Sequence, residues 1–239
     1  MKGRMLYFVV SVAVAAMIAG LWVWEPSVVS ASISLDEEPV LIIDAGHGGV
    51  DGGASAASGH KESDINLSVS LKLAHVLAFC GKAPVLTRTE DVSLHDENCT
   101  TIHEKKVSDL NNRIELIKEH HNALLISVHQ NYFTDPRYKG FQVFYSVGDS
   151  SRQWAERTQE LMRQALSPDN GRKARLLSDD VYLFRHIECP SILVECGFLS
   201  NGEETALLLN DGYQKKLAVA LAVSCMKQLS AMERDSGGV

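Results

Sequence analysis

Short apolar runs, each ending at a chemically active residue and set apart by segments of helical period, constrain this chain most. Val40 to Asp44 leads into Gly46, His47, Gly48 and Gly49; Ala123 to Val128 leads into His129; Ser191 to Val194 leads into Glu195. A short apolar run bounded in this way reads as a strand buried on both faces that hands over to a loop. Between the runs, Ile65, Val69, Leu73, Val76 and Leu77 share one helix face, with Ser63 or Asp64 placed to cap its start. Val107, Leu110, Ile114 and Ile117 mark a second helix. Ala83 to Thr87, Phe141 to Tyr145 and Val181 to Phe184 read as further strands, and Trp154 to Ala165 and about Gly212 to Met232 as further helices. The alternation predicts an α/β fold: a single domain with a twisted, mostly parallel or mixed sheet, helices on both faces, and ligands bound beyond the carboxyl ends of the strands.

Ahead of this domain, Leu6 to Trp24 carries no charge, with Lys2 and Arg4 before it and Glu25-Pro26 after it. Such a run is long enough to cross the ~30 Å hydrocarbon core as a helix, and the preceding basic residues keep the N-terminus inside. Residues 1–26 are therefore expected to be a signal anchor, an N-terminal membrane helix. Val29-Ser30-Ala31 offers a cleavage site for the alternative, a signal peptide. In either case the body is exported to the extracytoplasmic side, membrane-anchored or secreted. Residues 27–38 read as a linker, 39–232 as the α/β domain and 233–239 as a tail. The net charge of −7 is spread without a Lys/Arg cluster, which excludes nucleic acid as a partner. Cys80, Cys99, Cys189, Cys196 and Cys225 are odd in number and lack the short gaps of a zinc knuckle. They read as mostly free, with a Cys189–Cys196 pairing left open.

Chemistry gathers at the strand ends. His47, His129 and Glu195 each follow a predicted buried strand, and Glu62 lies on the loop after the first, just before a helix. In an open α/β sheet these positions converge on one rim. Two imidazoles and one carboxylate suit the three protein ligands of a catalytic zinc whose fourth position holds water, which leaves a second carboxylate for proton transfer. Glycines surround His47 where backbone must turn or approach a ligand closely. A carboxylate directly after Ser-Ile-Leu-Val would be buried at a cost unless a cation lies near it. His60, His75, His95, His103, His120, His121 and His186 read as structural or solvated.

At these residues the chain resembles a known family. VLIIDAGHGGVDGGA (40–54), KESDINL (61–67), LTRTED (86–91), LNNRIELI (110–117), LLISVHQN (124–131) and PSILVECGFLSN (190–201) resemble the successive blocks of the zinc-dependent N-acetylmuramoyl-L-alanine amidases of the amidase_3 type. The resemblance implies one Zn2+ per chain held by His47, Glu62 and His129, with Glu195 as the catalytic glutamate. It implies hydrolysis of the amide between the lactyl group of N-acetylmuramic acid and L-alanine of the peptidoglycan stem. Arg185 is a candidate cation for the substrate or the developing oxyanion. Asn66, Asn131 and Asp44 are candidates to accept the other ring N–H of a ligating histidine. Gln130 and Cys196 depart from the small or aliphatic residues common at their positions.

Only residues 146–153 are available where division-associated relatives insert a zinc-blocking helix, and the chain has no room for wall-binding repeats. This architecture resembles the germination-specific branch, which strips stem peptides from spore cortex on the way to muramic-δ-lactam. It implies a place in the forespore envelope, and the missing wall-binding module implies a protein partner for activation or targeting. Another zinc hydrolase of the wall, a peptidase or deacetylase, and a catalytically silent wall-binding scaffold are the alternatives.

Overall fold

The computed structural model describes residues 38–236. Its elements are β1 (Val40–Ala45), α1 (Glu62–Phe79), β2 (Val85–Leu86), α2 (Ile102–Lys118), β3 (Ala123–Asn131), β4 (Gln142–Tyr145), α3 (Asp149–Leu166), β5 (Arg175–Leu176), α4 (Tyr182–Arg185), β6 (Ser191–Phe198), α5 (Gly202–Leu209) and α6 (Asp211–Ser236). The six strands form one sheet in the order β2-β1-β3-β6-β4-β5. β2, β1, β3 and β6 run parallel, β4 is antiparallel to β6, and β5 is parallel to β4, so the sheet is mixed.

The continuous apolar runs end up in the middle of this sheet because only there are both faces covered. One face sends Leu41, Ile43, Leu124, Ile126, Val128, Ile192 and Val194 into a core shared with Val69 and Leu73 of α1, Trp154 of α3 and Leu217 and Leu221 of α6. The other sends Ile42, Leu125 and Leu193 against Ile114 and Ile117 of α2 and Leu183 and Phe184 of α4. Each fully buried side chain of this kind contributes roughly 1.5–3 kcal/mol, so the central strands are anchored from both sides. β1 pairs with β3 from Val40↔Ala123 to Ala45↔Val128 in unbroken register. The β3–β6 register shifts between His129 and Asn131, at the carboxyl end where both strands leave the sheet.

Three local expectations are corrected. Val181 to Phe184 is not a strand: Tyr182–Arg185 forms one helical turn, and Leu183 and Phe184, adjacent in sequence, are both buried on the same core. A strand would send neighbours to opposite faces. Neither Ser63 nor Asp64 caps α1, whose N-cap is Lys61 without a side-chain bond. Its first amides are instead bound by the preceding loop, Glu62 N–H to the Ala54 carbonyl and Ser63 N–H to that of Gly52. The strand expected over Ala83 to Thr87 is reduced to Val85–Leu86. Among the described residues no helix is long and apolar enough to cross a membrane. The signal anchor or signal peptide expected over residues 1–26 lies outside the described residues. The five cysteines are free. Residues 146–148 alone connect β4 to α3, so no inserted helix stands between them.

Candidate metal centre

The carboxyl ends of β1 and β3 and the start of α1 bring three side chains together. One ligand atom each from His47, Glu62 and His129 lies within 4.8 Å of the others. Among the described residues no other group of three such side chains could hold a metal ion. Glu62 Oε1 is 3.3 Å from His47 Nε2 and 3.0 Å from His129 Nδ1. Its Oε2 accepts from Ala54 N–H at 2.9 Å, and Oε1 also accepts from Gln130 N–H at 3.1 Å. Burial works against the Glu62 charge, but the two imidazoles outweigh it and hold the carboxyl far below the usual range. The donor set fits the implied ion: two imidazoles and a carboxylate are what tetrahedral zinc takes at an open site.

The loop after β1 is shaped for this convergence. His47 itself has φ 62°, a left-handed backbone uncommon outside glycine. His47 Nδ1–H donates to Asp51 Oδ2 at 2.9 Å, which turns Nε2 toward Glu62. Asp51 is fixed in turn by Lys106 Nζ at 2.9 Å from Oδ1. A Cβ on Gly46 would overlap the His129 ring, and one on Gly53 would lie 2.6 Å from Glu62 Oε2. Two buried guanidiniums hold the loop from below: Arg113 donates to the Ala45 and His47 carbonyls at 3.0 and 2.8 Å, and Arg88 to those of Ala45 and Ser63 at 2.9 and 2.8 Å.

Glu195 sits on β6 in register with His129 on one side and Gln142 on the other. Its Oε2 is buried and finds no hydrogen-bond partner among the described residues. Burial, reinforced by the Glu62 charge and opposed by His129 and His47, pushes its carboxyl up to about 7. Such a group exchanges protons near neutral pH, which suits a general base that later acts as an acid. Beside the three converging side chains lies a cleft of about 300 Å³ lined by His47, Asp51, Lys106, His129, Tyr182 and Phe184.

The remaining candidates separate. Asn66 donates to the Gly46 carbonyl at 3.0 Å and to Glu62 Oε1 at 3.3 Å, so it braces the carboxylate rather than a ring. Asp44 accepts from Thr87, Ser127 and Arg113, beneath the loop. Asn131 receives the Leu199 N–H on its carbonyl. Arg185 is exposed and lines surface grooves with Glu188 and Ile187, apart from the cleft at the histidines. Asp51 is the carboxylate that accepts the His47 ring N–H turned away from Glu62, and sequence reading missed it; a carboxylate four residues after His47 within the glycine loop was the available signal.

A mixed α/β sheet with two histidines and two glutamates at its carboxyl-end rim defines a metallohydrolase-like site. Residues 41–226 match the Amidase_3 family, N-acetylmuramoyl-L-alanine amidase. The chain is 32% identical over 183 residues to the germination-specific N-acetylmuramoyl-L-alanine amidase of Bacillus subtilis, covering 76% of each. It matches the structure of the CwlD amidase from Clostridioides difficile, solved in complex with the GerS lipoprotein, with TM-score 0.77 and 37% identity over 81% of this chain and 99% of that one. The catalytic domain of CwlV from Bacillus (Paenibacillus) polymyxa gives TM-score 0.65 and 26% identity over 80% and 98%. The chain therefore belongs to the Amidase_3 family of N-acetylmuramoyl-L-alanine amidases, hydrolases that act on peptidoglycan.

Proposed function

We propose that this chain is a zinc-dependent amidase of spore cortex peptidoglycan, with His47, Glu62 and His129 as zinc ligands and Glu195 as the catalytic acid and base. The observation that carries the reading is the buried, unpartnered Oε2 of Glu195 beside a three-donor group of zinc character. When bound, zinc supplies Lewis acidity: it polarises a carbonyl oxygen and eases deprotonation of water. Glu195 Oε2 takes the proton of the attacking water and delivers it to the L-alanine nitrogen as the C–N bond breaks. Asp51 holds the His47 tautomer, and Asn66 with the Ala54 and Gln130 amides holds the Glu62 carboxylate.

The cortex assignment, an extracytoplasmic location at the forespore envelope and dependence on a lipoprotein-like partner rest on the likeness to the germination-specific and GerS-bound relatives. Arg185, Asn131 and Asp44 keep lesser roles: Asp44 supports the loop, and the exposed Arg185 is available to substrate only from outside the cleft. The membrane-anchored reading of residues 1–26 belongs to the same proposal.

The test is mass spectrometry of cortex peptidoglycan incubated with the full-length chain, with zinc and after chelation. Free stem peptide with an intact glycan, lost on chelation and restored by zinc, is the expected result. Release of partial stems would favour a peptidase, and release of acetate a deacetylase. A separate check addresses the ligand set. Gly46→Ala places a methyl group against His129, so metal affinity should fall by roughly 10–100-fold, as when a ligand loses its support. Competition with a chromophoric chelator reads this directly.

A further inference from the structure

Exposed aromatic side chains are costly on a protein that has no use for them, and here they are not scattered. Among the described residues the exposed Phe and Tyr side chains are Phe79, Tyr132, Phe133, Tyr138 and Tyr182. Phe79 ends α1, and Tyr182 lines the cleft at the histidines. The other three lie on the loop that leaves β3 after Asn131, two residues beyond His129.

This loop is held in place. Phe133 N–H donates to Ser200 Oγ at 3.2 Å, Asn201 Nδ2 to the Pro136 carbonyl at 2.8 Å, and Gly140 N–H to Glu204 Oε1 at 2.8 Å. The rings of Phe133 and Tyr138 pack at 4.6 Å, and Tyr138 leans on the buried Phe198 at 6.3 Å. Arg172 lies over Phe198 at 4.9 Å and donates from Nη1 to Gln142 Oε1 at 3.0 Å, and Gln142 is the strand neighbour of Glu195. An unbroken line of contacts thus runs from the proton-transfer residue to a rigid aromatic shelf with a polar edge. Tyr132 is three residues past His129, at most roughly 10 Å along extended chain.

The substrate supplies the occupant. The amide cut by this family hangs from a sugar through the short lactyl ether, so with that amide at the histidines the glycan must pass over the adjoining rim. Sugar rings present apolar C–H faces and hydroxyl or amide edges, the complement of aromatic faces bordered by Arg172, whose position is fixed by the buried Gln142. We propose that Phe133 and Tyr138, with Tyr132 and Arg172, form a subsite for the N-acetylhexosamine chain next to the muramoyl residue being cleaved. The inference rests on the amidase reading of the site.

The test titrates the full-length chain with the tetramer of β-1,4-linked N-acetylglucosamine, which has neither lactyl group nor stem, by NMR or calorimetry. Saturable binding is expected. Tyr138→Leu and Phe133→Leu should weaken it about tenfold, the upper end of one aromatic contact, while Tyr138→Trp retains it and Phe79→Leu has no effect. On muropeptide substrates the leucine variants should lose more kcat/KM on long glycan than on a single muramoyl peptide, with the loss in KM. No binding by the native chain, equal binding by the leucine variants, or variants that lose only a protein partner would overturn the subsite. Tetramer binding that needs Tyr138 in a protein that releases no stem would keep the subsite and sink the amidase reading; stem release indifferent to Tyr138 would do the reverse.

Discussion

Glu195→Gln should leave a folded protein with its full metal content and reduce amide hydrolysis by about 10²–10⁴-fold, the usual contribution of a positioned acid and base. The substitution keeps the shape of the side chain and removes only its capacity to take up and return a proton. The native carboxyl is held near 7 by its burial, so it is ready to accept a proton at neutral pH and acidic enough to release it to the leaving amine. Glutamine can do neither. The loss should fall on kcat, with KM little changed, because the group acts on the reacting atoms in the transition state. Metal stoichiometry and the circular dichroism spectrum, measured beside the rate, separate this from damage to the site. A variant that also fails to retain metal would show that Glu195 belongs to the ligand set. A variant with native kcat would end its role in proton transfer.

The parts of this design that could be read from sequence are those written as local pattern. β1, β3 and β6 are apolar runs buried on both faces, so Val40 to Asp44, Ala123 to Val128 and Ser191 to Val194 stand out before any fold is known. The residues after them were legible for the same reason: His47, His129 and Glu195 interrupt apolar sequence where only chemistry explains them. What escaped depends on tertiary partners. Arg175–Leu176 is an exposed edge pair with no periodicity to betray it, and it pairs only because β4 runs beside it. The VYLF stretch is too short for its period to choose between strand and helix, and packing on Ile114 and Ile117 decides for one helical turn. Helix α5 did leave a signal, since Asn201 caps Glu204 N–H three residues on. Arg113 lies in one of the family-like blocks, yet nothing local distinguishes a guanidinium buried under a loop from one on a helix surface.

That arginine carries the largest expected effect on stability. Arg113 is 2% exposed, and it holds Asp44 Oδ1 at 2.5 Å, Asp109 Oδ2 at 2.8 Å and two carbonyls of the His47 loop. Arg113→Met retains most of the side-chain volume but leaves Asp44, 1% exposed, with only Thr87 and Ser127 as hydroxyl donors. An uncompensated buried charge costs about 3–5 kcal/mol, and the nearby Arg88 guanidinium places this case toward the lower end. Urea unfolding should show that loss, and Arg113→Met combined with Asp44→Asn should recover part of it. If the double variant is no more stable than the single one, lost packing rather than lost charge is the cause. The same pair contributes to the stability lost in acid. Burial alone would raise the Asp44 carboxyl, but Arg113 and Ser127 lower it from 3.8 to about 2. A depressed folded-state value stabilises above the unfolded one, so this contribution is complete above pH 3.8 and disappears as pH falls toward 2. Asp44→Asn should therefore flatten the stability profile over that interval. Because Arg113 also fixes the His47 carbonyl, weakened metal retention should accompany the lost stability in Arg113→Met, which ties the strength of the sheet to the geometry of the catalytic rim.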